Sequence, residues 1–382
     1  MHSNNIFEGS INHFLNPISG LLADSSVTEI MVVGAKQGSD AEPGVYCEKK
    51  GKLHLTDCTF GDEERVMAAI RNIAQFSGRS IEDGVYSVDA HLPSGERVHA
   101  IIPPASKCGA CLTIRKYSQS SFKLTNLVDT GSLTQSAAEY LELAVLLKKN
   151  IVISGGTGSG KTSLLNALSN KLPNDERIIV IEDTSELSLD QPHTVYLEAV
   201  RGNRLNEETS EMSIRDLFVE SLRMRPDRII VGEVRRGESL DMVQSMISGH
   251  AGALTTLHAN SPRDAAIRLE TMCLMSDTQI PVYVARWQVA AAIDIVVQVA
   301  RLRDGSRRVM CISELKELDT DSNQYVWNDI FRFNGNPRET TKDYISGSLE
   351  FTGERPSFCE EVYNMGFQHL VNESSAVFGS QR

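Results

Sequence analysis

The chain has 382 residues, a length that corresponds to about two or three domains. Apolar residues make up 41% of it and charged residues 23%, a composition that excludes an intrinsically disordered chain. Its 38 basic and 50 acidic side chains give a formal net charge of −12. Because nucleic-acid binders depend on clustered Lys and Arg, this charge argues against a dedicated nucleic-acid-binding protein. The basic stretch at 301–308 is short and interrupted.

Three absences in the sequence bear on where the chain works. It contains no run of about 18 apolar residues, so no transmembrane helix is predicted. Its first residues lack a basic segment followed by an apolar core, so no secretory signal is predicted. The cysteines number 7, an odd count, which favours a reduced cytosolic protein over a disulfide framework. The C-x-x-C pair of Cys108 and Cys111 lacks the second pair of ligands that a structural zinc site needs, and we interpret it as incidental.

Residues 1–117 are predicted to form an α+β domain. The segment Thr28–Val33 is apolar and rich in β-branched side chains, which predicts a strand. Apolar side chains at helical spacing predict a helix over Arg65–Phe76. Two extended segments flank a Pro-Ser-Gly turn at Pro93–Gly95, which predicts a pair of strands.

The polar segment 118–131 has few order-forming residues and is predicted to link this domain to a second one at 132–382. The second domain begins with a predicted helix, which Ser132 or Thr134 caps. After this helix, near-continuous Ile and Val runs alternate with predicted helices, the pattern of parallel strands covered on both faces. We therefore expect an α/β fold with a mainly parallel sheet. A strand followed by a polar tail is predicted over 300–382.

The strongest motif is a phosphate-binding loop that fits G-x-x-x-x-G-K-[ST]. Glycines in such a loop let backbone N–H groups converge on phosphate oxygens, while the lysine reaches the β- and γ-phosphates and the hydroxyl ligates Mg²⁺. A predicted strand at Ile151–Ile153 precedes the loop, and a predicted helix follows it with its N-terminus towards the anion. The motif predicts nucleotide binding by Gly155, Gly156, Thr157, Gly158, Ser159, Gly160, Lys161, Thr162 and Ser163.

Acidic residues follow two of the apolar runs in the same domain. Glu182 and Asp183 end one run and Glu233 ends another. A carboxylate at the mouth of a buried strand is costly unless it faces a cation or a cleft. Each carboxylate alone is equally consistent with a helix cap or a solvated loop, but their position after a phosphate-binding loop favours a role at the nucleotide. His258 ends a third predicted strand, where a structural hydrogen bond and a contact to the γ-phosphate are the two alternatives.

At these segments the chain resembles the type II/IV secretion-system ATPases, and most of all their TadA/CpaF tight-adherence (Flp pilus) branch. The resemblance rests on four boxes in order, ISGGTGSGKTSLLNAL, IEDTSEL, SLRMRPDRIIVGEVR and SGHAGALTTLHANSPRDA. The earlier segments LLADSSVTEIMV, VDAHLPSGERVHAIIPP and LTIRKYS are similar to that branch as well. The resemblance implies a RecA-like P-loop domain preceded by a smaller α+β N-terminal domain, with ATP and Mg²⁺ as cofactors.

The resemblance also implies a role for each residue of the site. Glu182 would polarise the attacking water, and Glu233 would support Mg²⁺ through water. His258 would sense the γ-phosphate, and Lys161 would act on the phosphates during hydrolysis. Thr162 and the two carboxylates would together form the metal site.

Four arginines are implied to supply positive charge during hydrolysis. Arg97 and Arg115, in the N-terminal domain, would reach across to the phosphates, and Arg223 or Arg225 would act across a subunit boundary. An arginine in such a role is worth about 10³ to 10⁵ in rate. Arginines from a separate domain would link the nucleotide state to the angle between domains. Without the resemblance, ordinary surface ion pairs would be favoured for Arg97 and Arg115.

The resemblance implies a homohexameric ring in the cytoplasm, peripherally associated with the inner membrane. Its partners would be inner-membrane platform proteins, and no direct contact with nucleic acid is expected. The predicted function is to couple ATP hydrolysis to domain motion that powers pilus assembly or the export of a secretion substrate. One alternative is a DNA-transfer (conjugation) ATPase or another hexameric nucleic-acid motor. The other is a ring that binds ATP and recruits partners with little turnover.

The two ends of the chain also carry expectations from the resemblance. The start lacks the long extension found in many tight-adherence ATPases, so we expect a different coupling to membrane partners. The segment Ile345–Leu370 resembles the C-terminal ending of the branch, so we expect the chain to be complete there.

Overall fold

The computed structural model describes residues 9–34, 42–49, 51–81, 84–116, 123–200, 211–319, 321–371 and 377–378. The chain divides into two units, Met1–Gln119 and Ser120–Arg382. In this described part of the chain, no helix combines the length and the apolar character that crossing a membrane requires.

The first unit is built on an antiparallel sheet. Its strands are β1 Val27–Val33, β2 Gly44–Lys49, β3 Lys52–Leu55, β4 Ser87–His91, β5 Arg97–Ile101 and β6 Cys111–Arg115. Within the described residues of this unit they form one sheet in the order β3-β2-β1-β6-β5-β4, with every neighbouring pair antiparallel. The predicted strand at Thr28–Val33 is the greater part of β1.

Helices α1 Ser19–Ala23 and α2 Glu63–Phe76 belong to the same unit as this sheet. Helix α2 begins after Asp62, whose carboxylate accepts the Arg65 backbone N–H at 2.8 Å, as an N-cap residue does. Its apolar stripe is buried in the same core as the inward side chains of β1, β5 and β6. The predicted α+β character of this part of the chain is therefore confirmed.

The second unit contains the longer sheet. Its strands are β7 Ile151–Gly155, β8 Ile178–Glu182, β9 Thr194–Glu198, β10 Arg228–Val231, β11 Leu254–Leu257, β12 Ile295–Arg301, β13 Arg307–Asp319, β14 Gln324–Gly335 and β15 Gly347–Phe351. In the described residues the order is β15-β14-β13-β12-β7-β11-β10-β8-β9. From β12 to β9 neighbouring strands are parallel, and β12 to β15 are antiparallel. The predicted α/β fold with a mainly parallel sheet is confirmed.

Helices cover both faces of this sheet. They are α3 Leu124–Asp129, α4 Gln135–Leu146, α5 Lys161–Ser169, α6 Ile214–Ser221, α7 Glu238–Ile247, α8 Pro262–Cys273, α9 Val282–Ala292 and α10 Cys359–Asn364. Ile151 and Ile153 of β7 belong to one buried cluster, with α4 and α5, while Val152 between them belongs to another, with α7, α8 and α9. Burial on both faces explains why the strands are continuous apolar runs.

Two segments have more structure than the sequence predicts. Part of the predicted linker, at 118–131, forms helix α3, because Leu124 and Leu127 bury their side chains in the core of the second unit. The Asn126 side chain accepts the Lys123 N–H at 3.0 Å at the start of this helix. The predicted polar tail contains β14, β15 and α10, whose inward side chains complete that core.

Candidate active site

The phosphate-binding loop connects β7 to α5, and its glycines are required by its shape. A Cβ atom added to Gly155 would lie 2.5 Å from the Val299 carbonyl oxygen and 2.6 Å from Ser159 Oγ, so no larger residue fits there. Gly158 and Gly160 have φ angles of +69° and +98°, a region that side chains with a Cβ rarely adopt. The loop therefore reaches the start of α5 in a conformation that only this glycine spacing allows.

Lys161 is buried at the first position of α5. Its ammonium donates hydrogen bonds to the carbonyl oxygens of Gly155, at 3.1 Å, and Gly156, at 2.9 Å. The Ser159 hydroxyl donates to the Gly156 oxygen at 2.8 Å. These three hydrogen bonds hold the carbonyl groups of Gly155 and Gly156 in place.

The first turn of α5 has the features of an anion site. The first N–H groups of a helix have no carbonyl partner within the helix and can bind an anion, and the amides of Thr162 and Ser163 belong to this turn. Thr162 and Ser163 are half-buried in this turn. The Thr162 hydroxyl is an oxygen donor of the kind that Mg²⁺ prefers, and Mg²⁺ needs only one or two protein ligands beside phosphates and water. The residues therefore fit a nucleotide with its metal.

Glu182 is the last residue of β8 and is only 4% exposed. Its carboxylate accepts the backbone N–H groups of Glu186, at 3.0 Å, and Leu187, at 3.1 Å. Burial raises the pKa of Glu182 from 4.5 to about 7, although these two hydrogen bonds oppose the rise. A Cβ added to Gly232, just after β10, would lie 2.9 Å from Glu182 Cγ, so the glycine makes room for the acid.

Glu233 and His258 follow the neighbouring strands β10 and β11. His258 Nε2 lies 2.9 Å from Glu233 Oε1, and His258 Nδ1 lies 3.5 Å from Lys161 Nζ. Burial lowers the pKa of His258, and the positive charge of Lys161 lowers it further. The imidazole thus links the ammonium of the phosphate-binding loop to the carboxylate of Glu233.

The sheet brings four predicted residues to one edge. Its order places β7, β11, β10 and β8 side by side, and all four are parallel. Their carboxyl ends therefore meet at the same edge, where ligands bind in open α/β sheets. Lys161, His258 and Glu233 follow β7, β11 and β10, and Glu182 ends β8.

Two residues of this edge were not predicted from the sequence. The Arg235 guanidinium donates to Glu233 Oε2 at 2.7 Å and lies 3.6 Å from Asp183 Oδ2. The Gln298 amide donates to the Ala259 carbonyl oxygen at 3.2 Å and accepts the Ser154 hydroxyl proton.

Both residues left a signal in the sequence. Arg235 comes two residues after Glu233 in the segment VGEVR, so both follow the same strand end. Gln298 is the single polar side chain of the apolar run IVVQVA, and the structure buries it. A buried amide needs hydrogen-bond partners, and here it connects the end of β7 to the residue after His258.

The predicted arginines of the N-terminal unit lie opposite one another. Arg97 pairs with Arg115 across β5 and β6. Arg97 NH2 lies 3.8 Å from Asp89 Oδ1, and Arg115 Nε lies 3.8 Å from Glu29 Oε1. The structure thus brings the two arginines together within their own unit.

Arg223 and Arg225 precede β10 rather than follow it. Arg223 belongs to the short helix Leu222–Met224 and lies 3.4 Å from Glu220 Oε1. Arg225 ends that helix with a φ of +54°. Because Glu233 follows the carboxyl end of β10, these two arginines lie at the opposite edge of the sheet from Lys161, His258, Glu233 and Glu182.

The chain is similar to several known proteins. A family model described as type II/IV secretion system protein matches residues 15–345. A Mycobacterium tuberculosis protein provisionally named as a conjugal transfer protein is 33% identical over 305 residues, 78% of this chain and 84% of that protein. The type IV secretion system protein VirB11 of Brucella suis is 33% identical over 327 residues, 78% of this chain and 88% of that protein.

A solved structure supports the fold alone. The crystal structure of the pilus retraction motor PilT with bound ADP superposes with a TM-score of 0.51 over 97% of each chain, at 15% sequence identity.

Proposed function

Because the chain belongs to the type II/IV secretion system protein family, we propose that it is a VirB11-type ATPase that powers a type IV secretion or conjugation machine. The single observation that carries the enzymatic part is the meeting of Lys161, His258, Glu233 and Glu182 at one edge of the parallel sheet. The relatives of 33% identity carry the names of a type IV secretion protein and a conjugal transfer protein. These names support the conjugation alternative more than the pilus function that the sequence ranked first.

In this proposal the loop at 155–163 binds the phosphates of ATP. The Lys161 ammonium turns from the loop carbonyls to the β- and γ-phosphates, since it is a flexible point charge with three donors. Thr162 would hold Mg²⁺ directly and Glu233 would support it through water. The metal would supply positive charge to the phosphates.

Glu182 is the proposed base. A base works best when its pKa lies near the working pH, and burial brings the pKa of Glu182 to about 7. Its ionised form accepts the proton of the attacking water, or polarises the water without a full transfer. The two backbone N–H groups that it accepts fix the carboxylate in one orientation.

His258 is the proposed γ-phosphate sensor. An ammonium can only donate, so the Lys161 contact at 3.5 Å selects the tautomer in which Nδ1 accepts and Nε2 carries the proton. The lowered pKa keeps this imidazole neutral at neutral pH. Movement of Lys161 to the phosphates removes its contact with Nδ1 of His258. The contact between Nε2 and Glu233 then changes as well.

Arg97 and Arg115 are proposed to bind the phosphates from the N-terminal unit. Like charges directly opposite on neighbouring strands destabilise a sheet, and an anion between them would offset this cost. Arg223 or Arg225 is proposed to act on the site of an adjacent copy. Contact of this kind requires a ring, and we propose a homohexamer.

The proposed setting is the cytoplasmic face of the inner membrane, where the ring contacts platform proteins of the machine and does not grip nucleic acid itself. The tight-adherence branch and a pilus-assembly or export motor are the second candidate, which the resemblance of the N-terminal segments and the four boxes favours. A ring that binds ATP with little turnover is the third.

The test combines turnover with the phenotype of the host. Steady-state phosphate release by the full chain with Mg·ATP separates a motor from a scaffold. A chromosomal Lys161→Ala substitution that stops DNA transfer or effector export supports the type IV machine. Loss of pili with normal transfer supports the second candidate. Strong, salt-sensitive stimulation of turnover by single-stranded DNA contradicts the absence of direct nucleic-acid contact.

A further inference from the structure

The β12–β13 hairpin continues past the end of β7 and lies against the phosphate-binding loop. Val299 of β12 pairs with Gly155, the last residue of β7, and Arg301 pairs with Arg307 across the hairpin. This pair of arginines therefore lies beyond the end of β7, on the side where the loop begins. We propose that Arg307 is a positioning residue that holds the loop in its nucleotide-binding shape, an inference that rests on the proposed ATPase function.

Arg307 contacts two glycines of the loop. Its Nε donates a hydrogen bond to the Gly158 carbonyl oxygen at 3.0 Å. A Cβ built on Gly160 would lie 3.3 Å from Arg307 Cδ, so the methylenes of the arginine pack against that glycine. Glycine is the residue with the greatest backbone freedom, and at both positions φ is positive. The half-buried arginine therefore restrains the part of the loop whose backbone has the most conformational freedom.

The hydrogen bond also fixes the direction of a backbone N–H. In a planar trans peptide the C=O and the following N–H point in opposite directions. The Gly158 oxygen points to Arg307, so the Ser159 N–H points the other way, where it donates to the Gly156 carbonyl oxygen at 3.4 Å. Arg307 therefore stabilises the peptide orientation that closes this turn of the loop ahead of α5. Without Arg307 the loop loses part of this preorganisation, and nucleotide binding must supply the ordering.

Long-range attraction by a basic hairpin is a different explanation that the chain itself can test. Arg303 carries the same charge at the turn of the same hairpin, and its guanidinium donates to the Thr341 carbonyl oxygen at 3.4 Å. A general attraction for phosphates would depend on both arginines. A lysine at 307 would keep the charge and the stem, but it has no planar Nε–H in that position.

The experiment measures fluorescent ADP binding and ATP turnover for the full chain and for the variants Arg307→Gln, Arg307→Lys and Arg303→Gln. Melting temperatures without nucleotide identify variants that are folded at the assay temperature. Arg307→Lys keeps the packing against Gly160 and serves if Arg307→Gln melts too low. Losing one hydrogen bond to a charged group weakens binding by about ten-fold. We expect both Arg307 variants to raise the Kd for ADP and the KM for ATP by about this factor, with kcat much less affected, and Arg303→Gln to match the wild type.

Three results would overturn the inference. They are wild-type affinity in Arg307→Gln, recovery of affinity in Arg307→Lys, and equal weakening in Arg303→Gln. If the wild-type chain itself binds no ADP, the proposed ATPase function fails instead, so the two failures are distinguishable.

Discussion

The Nε2 atom of His258 lies 2.9 Å from Oε1 of Glu233, at the ends of the neighbouring strands β11 and β10. This distance is within ion-pair range, while the second carboxylate oxygen of Glu233 accepts a hydrogen bond from Arg235 at 2.7 Å. The pair thus joins two strand ends at the candidate site.

Coupling between these two residues is the first prediction. His258→Ala and Glu233→Ala should each lower kcat by about 10², and the double variant should lose little more than the worse single variant, because residues in one network are not additive. A double-mutant cycle on kcat checks this. His258→Ala combined with Glu198→Gln, on the outermost parallel strand, supplies an additive reference. Full additivity of the first pair would contradict a functional link.

Replacement of Lys161 by Ala should abolish turnover and weaken ATP binding. The buried ammonium donates to the loop carbonyls of Gly155 and Gly156, and its removal deletes a main positive charge on the transferred group. Phosphate release and nucleotide affinity are the measurements. Lys171→Ala is the control, since Lys171 pairs with Glu142 at 2.9 Å after the same helix. Residual turnover near the wild-type rate would remove Lys161 from the site.

Glu182→Gln should bind ATP as the wild type does and hydrolyse it about 10² to 10⁴ times more slowly, the range for loss of a base. Glutamine keeps the volume and the hydrogen bonds to the backbone while losing the ionisable group. Glu317→Gln is the matched control, because Glu317 is an exposed residue of β13. Rapid hydrolysis by the Glu182 variant would assign the base elsewhere.

The pH profile of kcat should rise through about pH 7, where Glu182 ionises. The ionised form is the base, so activity increases as the proton leaves. Asp183→Asn should retain this rising limb, whereas Glu182→Gln should lack it. A flat profile in the wild type between pH 6 and 8 would be inconsistent with this assignment.

The same group makes stability depend on pH in the opposite direction. The folded state keeps the Glu182 proton up to about pH 7, while the unfolded chain releases it near 4.5. The folded state therefore binds more protons over this interval, and the free energy of unfolding falls as pH rises through it, by roughly 1.4 kcal/mol per unit of pKa difference. Urea unfolding at pH 5 and pH 7.5 should show a smaller fall for Glu182→Gln than for the wild type.

Arg97→Ala and Arg115→Ala should each reduce kcat, by up to about 10³ if the arginine contacts the transferred phosphate. Their melting temperatures should stay close to that of the wild type, because both side chains are partly exposed and their ion pairs are long. Arg65→Ala, an exposed arginine of the same unit, should change neither quantity. Unchanged kcat in both variants would indicate that these arginines form only surface ion pairs and do not contact the phosphates.

Local chemistry made much of this fold predictable. Runs such as Ile178–Ile181 predicted buried parallel strands because both faces of the sheet are covered, and the glycine spacing at 155–160 predicted the loop because its conformation excludes other residues. Helix α3 was missed because Leu124 and Leu127 become helical through burial against residues far along the chain. The strand order, which decides that His258 stands between Lys161 and Glu233, depends on such distant pairings as well.

The sequence predicted individual residues of the candidate site but not the contacts between them. An acidic residue after an apolar run was recognisable, and the structure places Glu182 at the end of β8 and Glu233 just after β10. Nothing local to the sequence showed that Arg235 pairs with Glu233, or that the amide of Gln298 joins Ser154 to Ala259. These contacts depend on side-chain direction at the ends of strands that meet only in the folded sheet.

The bond between Ser154 and Gln298 joins residues that are 144 positions apart, and the Val299 carbonyl next to it closes the wall behind Gly155. During synthesis the complete glycine-lysine motif therefore leaves the ribosome long before the strand that supports it. A chain truncated before β12 contains the whole motif but lacks the strand that forms the wall behind Gly155. The phosphate-binding loop acquires this support only after residues 295–301 have been translated.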